Sequence, residues 1–97
     1  MFRHCVMMKF ADHATPEQRQ AVHDAVADLP AKIPEVISYV IGFDAGIRPD
    51  NHDFAVVADF ATQADYEIYA THKDHLQVIN DLIKPVLASR SAVQYEF

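Results

Sequence analysis

Tyr69, His72 and His75 crowd the start of YATHKDHLQVINDLIKP, the run from Tyr69 to Pro85, just ahead of an apolar helical pattern. Imidazole titrates near neutral pH and a phenol donates a strong hydrogen bond, so these groups together can take, hold and return a proton. A further histidine, His4, lies far off in sequence within an alternating, strand-like run. Proton-handling side chains that converge on otherwise apolar elements are the pattern of a small-molecule site. In such a site His75 acts as general base toward an activated carbon or a water, because an ordinary histidine pKa of about 6.5 suits that task. Tyr69 donates to a carbonyl oxygen and stabilises the enolate as charge develops. His4 orients the substrate or the base, and Val6 and Met8 on its strand face line the floor beside it. Val56, on a later strand, and His72 complete the surroundings taken from these elements.

Each of these residues also has a plainer role. A histidine at a helix start beside Asp74 caps or pairs at the surface. A half-buried tyrosine satisfies its hydroxyl within the fold, and a strand histidine bonds to a backbone carbonyl. The H-x-x-H spacing of His72 and His75, with His4 as a third donor, also fits a metal, but this spacing alone is a weak signal. No carboxylate is clearly directed toward these histidines, so no metal is expected. His13, His23 and His52 lie in loops or on a helix flank, where a surface role suffices.

The elements that must position these groups follow from periodicity. Phe2, His4, Val6, Met8 and Phe10 alternate with Arg3, Cys5, Met7 and Lys9, which predicts a strand with cover on both faces. Thr15-Pro16-Glu17 is a helix start, and Val22, Ala25, Val26 and Leu29 form its apolar stripe. Pro30 and Pro34 close that helix. Val36–Phe43 predicts a second strand, the stretch with Gly46, Pro49, Asp50 and Asn51 a loop, and Phe54–Phe60 a third strand. Thr62 caps a helix to about Thr71, and a further helix runs from Asp74 to Leu87, burying Leu76, Ile79, Ile83 and Val86. Pro85 kinks or ends it. Ala92–Phe97 is the last strand. The order β-α-β-β-α-β, with its second helical segment split, is the ferredoxin-like α+β arrangement: a four-stranded antiparallel sheet with helices on one face. The uncovered face, still partly apolar, predicts a homodimer packed sheet on sheet.

Composition bounds the function classes. The 97 residues make one domain spanning 1–97, and 51% of them are apolar. Fourteen acidic against eight basic residues leave a net charge of −6 and no basic stripe, which argues against nucleic acid as a partner. No apolar run approaches a membrane span, and no signal peptide is visible, so no membrane partner and a cytoplasmic location are expected. The lone Cys5 reads as a small buried hydrophobe. With two glycines and no phosphate-cradling loop, nucleophile elbow or dinucleotide fingerprint, no cofactor is expected.

Taken together, RHCVMMKF, the T-P-E-Q helix start, LPAKIPEVISYVIG, FAVVADF, YATHKDHLQVINDLIKP and the terminal VQYEF resemble the stress-responsive A/B barrel (Dabb) domain family over nearly the whole chain. The resemblance implies a dimeric α+β barrel in which two ferredoxin-like sheets close on each other. One family member is a polyketide cyclase; its catalytic tyrosine matches Tyr69, its catalytic histidine His75 and its strand histidine His4. Pocket aromatics of its first helix fall on Val22, His23 and Val26, and a bulky residue of its last helix falls on Val78. The wall that selects its substrate is therefore different here, and Lys73 stands where members often carry proline between the two histidines. Most members have no known activity. Two readings stay open: a cofactor-free cyclase, isomerase or lyase acting on a small apolar compound with a carbonyl, or a stress-associated binding or assembly protein with structural histidines. An open cavity at His75 and Tyr69 favours the first; a site packed solid favours the second.

Overall fold

Nine alternating residues open the chain as strand β1 (Phe2–Phe10), and in the computed structural model, which describes residues 1–97, this strand lies inside the sheet. Its even-numbered side chains are buried and its odd-numbered ones face the other way, as the period of two requires. Helix α1 (Pro16–Ala27) starts at Thr15, whose hydroxyl accepts the Gln18 N–H while the Gln18 side chain accepts the Thr15 N–H. That reciprocal pair satisfies two of the donors every helix start leaves unpaired. A short helix, α2 (Leu29–Lys32), leads into β2 (Ser38–Phe43), and a loop carrying the left-handed Gly46 (φ 78°) leads on to β3 (Phe54–Phe60). Helix α3 (Gln63–Thr71) is followed directly by α4 (Lys73–Val78), a π-helical turn (Ile79–Ile83), a 3-10 turn (Lys84–Val86) and β4 (Leu87–Glu96).

The strands pair antiparallel in the order β2-β3-β1-β4. This is the expected ferredoxin-like α+β sheet with its helices on one face. Beneath them two apolar clusters fill the space, one around Val6, Met8, Val22, Val26 and Phe54, the other around Phe2, Leu29, Ile33 and Phe60. No helix is long and apolar enough to cross a membrane.

Three details differ from the sequence-based expectation. Strand β4 begins at Leu87 instead of Ala92. The added residues, LASRS, are mostly small or polar, so periodicity is silent there; the long β1 supplies their ladder partners, with Arg90 opposite Met8 and Ser91 opposite Met7. Strand β2 begins two residues later than expected, because Val36 is still held in a turn onto the Ile33 carbonyl. The last helix is not one α-helix from Asp74 to Leu87. Its hydrogen bonding widens after Val78, with the Lys84 N–H reaching back to the Ile79 carbonyl, and Leu76 is 42% exposed where burial was expected. His75, one residue earlier, takes the inward position.

The face away from the helices carries Met7 from β1, Val40 from β2 and Val93 and Tyr95 from β4, all exposed. There Arg3 grips Asp59 with two hydrogen bonds of 2.7 and 2.9 Å and lies over the Phe97 ring. That grip holds the Asp59 carboxyl below the usual range and raises the guanidinium further above its own.

Candidate functional site

Helix α3 stops at His72, whose backbone is extended (φ −63°, ψ 137°), and α4 starts on the same residue. The His72 Nδ1 accepts the Asp74 N–H at 3.1 Å, so His72 caps α4. Its imidazole is spent on that turn and does not line the cavity described below. The bend brings the last full turn of α3 against the first turn of α4, and the Tyr69 and His75 rings stack at 4.3 Å and 30°.

These two rings border a cavity of about 200 Å³ between the sheet and its helices. Its floor is His4, Val6 and Met8 of β1 with Val56 of β3; Val26 of α1 and Ile79 and Ile83 of the π turn close the sides. Of the residues expected around a site, His4, Val6, Met8, Val26, Val56, Tyr69 and His75 are brought together here. Val22, His72 and Val78 are not. Val22 is wholly buried in the core, and Val78 packs against both apolar clusters. The cavity also takes Tyr39 and Tyr66, Leu29, Leu87, Lys84 and Arg90, none of which stood out in the sequence as site residues. For Tyr39 a signal was present: it alternates with Ile41 and Phe43 on the helix-facing side of β2. For Arg90 there was none, because its strand segment lacks alternation.

The hydrogen bonds assign different roles to the two histidines. The His75 Nδ1 lies 3.1 Å from the Ala70 carbonyl. A carbonyl only accepts, so the proton resides on Nδ1 and the Nε2 lone pair is free. Burial pushes the His75 pKa down, the Ala70 bond opposes that shift, and the positive Arg90 adds to it. His75 is therefore a neutral acceptor near pH 7. His4, only 4% exposed, is contacted at 2.9 Å by the Gln94 side-chain nitrogen. With that amide donating to Nδ1, the His4 proton sits on Nε2. Burial, then Arg90 and His75, lower its pKa to about 4. His4 is a neutral donor whose ring packs 4.9 Å from that of Tyr66.

Tyr69 is 2% exposed, and its hydroxyl lies 2.8 Å from that of Tyr39. Burial raises the Tyr69 pKa to about 12, while the Tyr39 hydrogen bond pulls it back. Burial raises Tyr39 further still, with Tyr69 adding to the effect. Because the Tyr39 hydroxyl steadies the Tyr69 phenolate, Tyr39→Phe is expected to move Tyr69 titration upward. The same change removes one buried hydrogen bond, about 1 kcal/mol of stability. Ultraviolet difference titration and urea unfolding measure the two; a Tyr69 titration that stays put would show that the pair is not coupled.

Elsewhere, His13 lies 3.0 Å from the Pro85 carbonyl, and His23 pairs with Asp24 and stacks on Phe43. No group of three or more His, Cys, Asp or Glu side chains is spaced to share a metal ion. The cavity offers two imidazoles on different elements and no carboxylate, a poor donor set for a divalent cation.

The model of the stress responsive A/B barrel domain family matches residues 2–97. No curated protein matches the chain. Among solved structures, a dimeric ferredoxin-like protein from Thermobifida fusca is 40% identical, covering 99% of this chain and 90% of that one, with a TM-score of 0.90. A second dimeric ferredoxin-like protein, from Bacteroides fragilis, is 28% identical, covering 99% and 95%, with a TM-score of 0.82. A hydroxynitrile lyase from Passiflora edulis shares the fold at 19% identity, covering 97% and 90%, with a TM-score of 0.85.

Proposed function

This chain belongs to the stress responsive A/B barrel domain family, and from that membership we propose that its cavity is a cofactor-independent active site for proton transfer beside a carbonyl. His75 Nε2 takes the proton from the carbon next to the carbonyl. The Tyr69 hydroxyl, with Tyr39 donating to it, keeps its own proton for the carbonyl oxygen as that oxygen becomes an enolate. The His4 Nε2–H supplies a second donor. The enolate then closes a ring, shifts a double bond or releases a fragment; a cyclase, an isomerase and a lyase share this first step. The bound compound is small and apolar apart from its carbonyl, because the lining is mostly aliphatic and aromatic and the volume lies below the roughly 300–1,000 Å³ of drug-sized pockets.

One observation carries this reading: a neutral imidazole with its lone pair free stands against a buried phenol at the edge of open space. Structural histidines in a filled core would leave no such space, which speaks against the alternative of a binding or assembly protein in the form where its pocket is filled. The hydroxynitrile lyase of like fold lends the activity no weight at its low identity. The test is deuterium incorporation from heavy water into the methyl group of acetophenone, followed by proton NMR. Exchange above the buffer rate is expected; exchange no faster than in buffer would overturn the assignment.

We further propose that two copies pair through the open sheet face. The similar dimeric proteins from Thermobifida fusca and Bacteroides fragilis support this, as does the exposure of Val40 (64%) and Val93 (56%). Sedimentation is expected to return twice the 10.9 kDa chain mass, and Val40→Asp to return that of a single chain. A wild-type protein sedimenting as one chain would sink the pairing.

A further inference from the structure

We propose that the compound bound in the His75–Tyr69 cavity carries a carboxylate, held at the cavity rim by Arg90 and Lys84, an inference that rests on that cavity being the site. Both cations are exposed residues that nevertheless line it, Arg90 from β4 opposite Met8 and Lys84 from the 3-10 turn. The chain holds fourteen acidic residues against eight basic ones, yet no Asp or Glu lines this cavity. The one ion pair of a permanent cation in the fold is Arg3–Asp59, and the close histidine–carboxylate contacts are His23–Asp24 and His72–Asp74; none includes Arg90 or Lys84. Neither side chain has a hydrogen-bond partner, whereas Arg3 is gripped by Asp59 and Arg19 by the Ala14 and Ala11 carbonyls.

The interior supplies no counter-charge. His4 and His75 are neutral near pH 7, and Tyr69 keeps its proton until about pH 12. Arg90 lines the same cavity as His4, Tyr69 and His75, and its positive charge adds a lowering contribution at each of them. A protein with a net charge of −6 thus holds an apolar pouch whose only charged lining residues are cations. Isolated cations beside a low-dielectric wall bind an anion more strongly than the same cations in open water. The guanidinium fork fits the two oxygens of a carboxylate, and the lysine adds a second charge without a fixed geometry. Beyond such a head group, Val6, Met8 and Ile79 give an apolar body its contact surface. In such a compound the carbonyl that meets Tyr69 and His75 lies on a short or single-ring acid; acetophenone keeps the ring and the carbonyl without the anchoring group.

The test is a matched pair, para-toluate and its neutral amide para-toluamide, titrated while the His4 and His75 ring signals are followed by NMR. Wild-type protein is expected to bind toluate about ten- to a hundredfold more tightly than the amide, as charge-assisted hydrogen bonds do. In the Arg90→Gln, Lys84→Gln double variant the preference for toluate over the amide shrinks to about twofold or less. Rising salt weakens toluate binding and leaves the amide alone. Equal wild-type affinities, or a preference that survives in the double variant, overturn the inference. If the amide still perturbs both rings in those cases, the His75–Tyr69 site stands without its anionic ligand. If neither compound reaches the rings, the cavity itself fails as a site and this inference falls with it.

Discussion

Replacing His75 by alanine is expected to slow deuterium exchange at the methyl group of acetophenone by about 10²–10⁴-fold, the usual contribution of a positioned general base. The Nδ1–H is committed to the Ala70 carbonyl, so only Nε2 can accept a proton, and no other base lines the cavity except His4. His4 cannot substitute, because its Nδ1 already accepts from Gln94. The pH profile provides a second check. The folded His75 titrates below the ordinary 6.5, since burial outweighs the Ala70 bond. Exchange should therefore be level at and above neutral pH and fall as acid protonates His75, with a midpoint below 6.5. His75→Ala should leave a flat profile. An exchange rate unchanged in His75→Ala, in protein that keeps its native circular dichroism, would remove His75 from the chemistry.

The largest stability change is expected on acidification between pH 6.5 and pH 4, and His4 is its source. Its pKa is about 4 when folded against 6.5 when unfolded, so in this window the unfolded chain binds the extra proton. Stability is complete above 6.5 and is lost as pH falls toward 4, by about 3 kcal/mol. His75, also lowered, acts in the same direction. Asp59 behaves differently: its folded pKa is depressed below 3.8, so the stability it adds is lost only in stronger acid, below that value. Urea midpoints measured across the range separate the two windows. His4→Gln should flatten the pH 4–6.5 slope even if its absolute stability is lower, because the glutamine carries no titrating proton. A slope as steep as that of wild type would mean that the burial of His4 does not control acid stability.

The departures at the last helix, at β4 and at His72 share one cause. Periodicity reports which face of an element is apolar, not which neighbour completes it. Leu76 fits an apolar stripe by spacing, but the bend at His72 and the π turn after Val78 rotate His75 inward instead. LASRS has no strand pattern and is a strand because β1 offers it ladder partners from Met7 to Phe10. His72 looks like a member of the site by spacing, yet local backbone geometry makes it a cap.

From the chain alone came the ferredoxin-like order of elements, the cap at Thr15, the alternation of β1 and β3, and the presence of Tyr69, His75 and His4 on apolar elements. Those follow from local rules: side-chain period, turn chemistry and the donors each residue type carries. Only the folded molecule decided which nitrogen of each imidazole holds the proton, because that depends on Ala70 beside His75 and on Gln94, ninety residues from His4. It likewise decided that Tyr39 meets Tyr69 and that Arg90 and Lys84 face the cavity. Hydrogen bonds and desolvation act through space, and residues remote in sequence become neighbours only when the sheet and its helices close on each other.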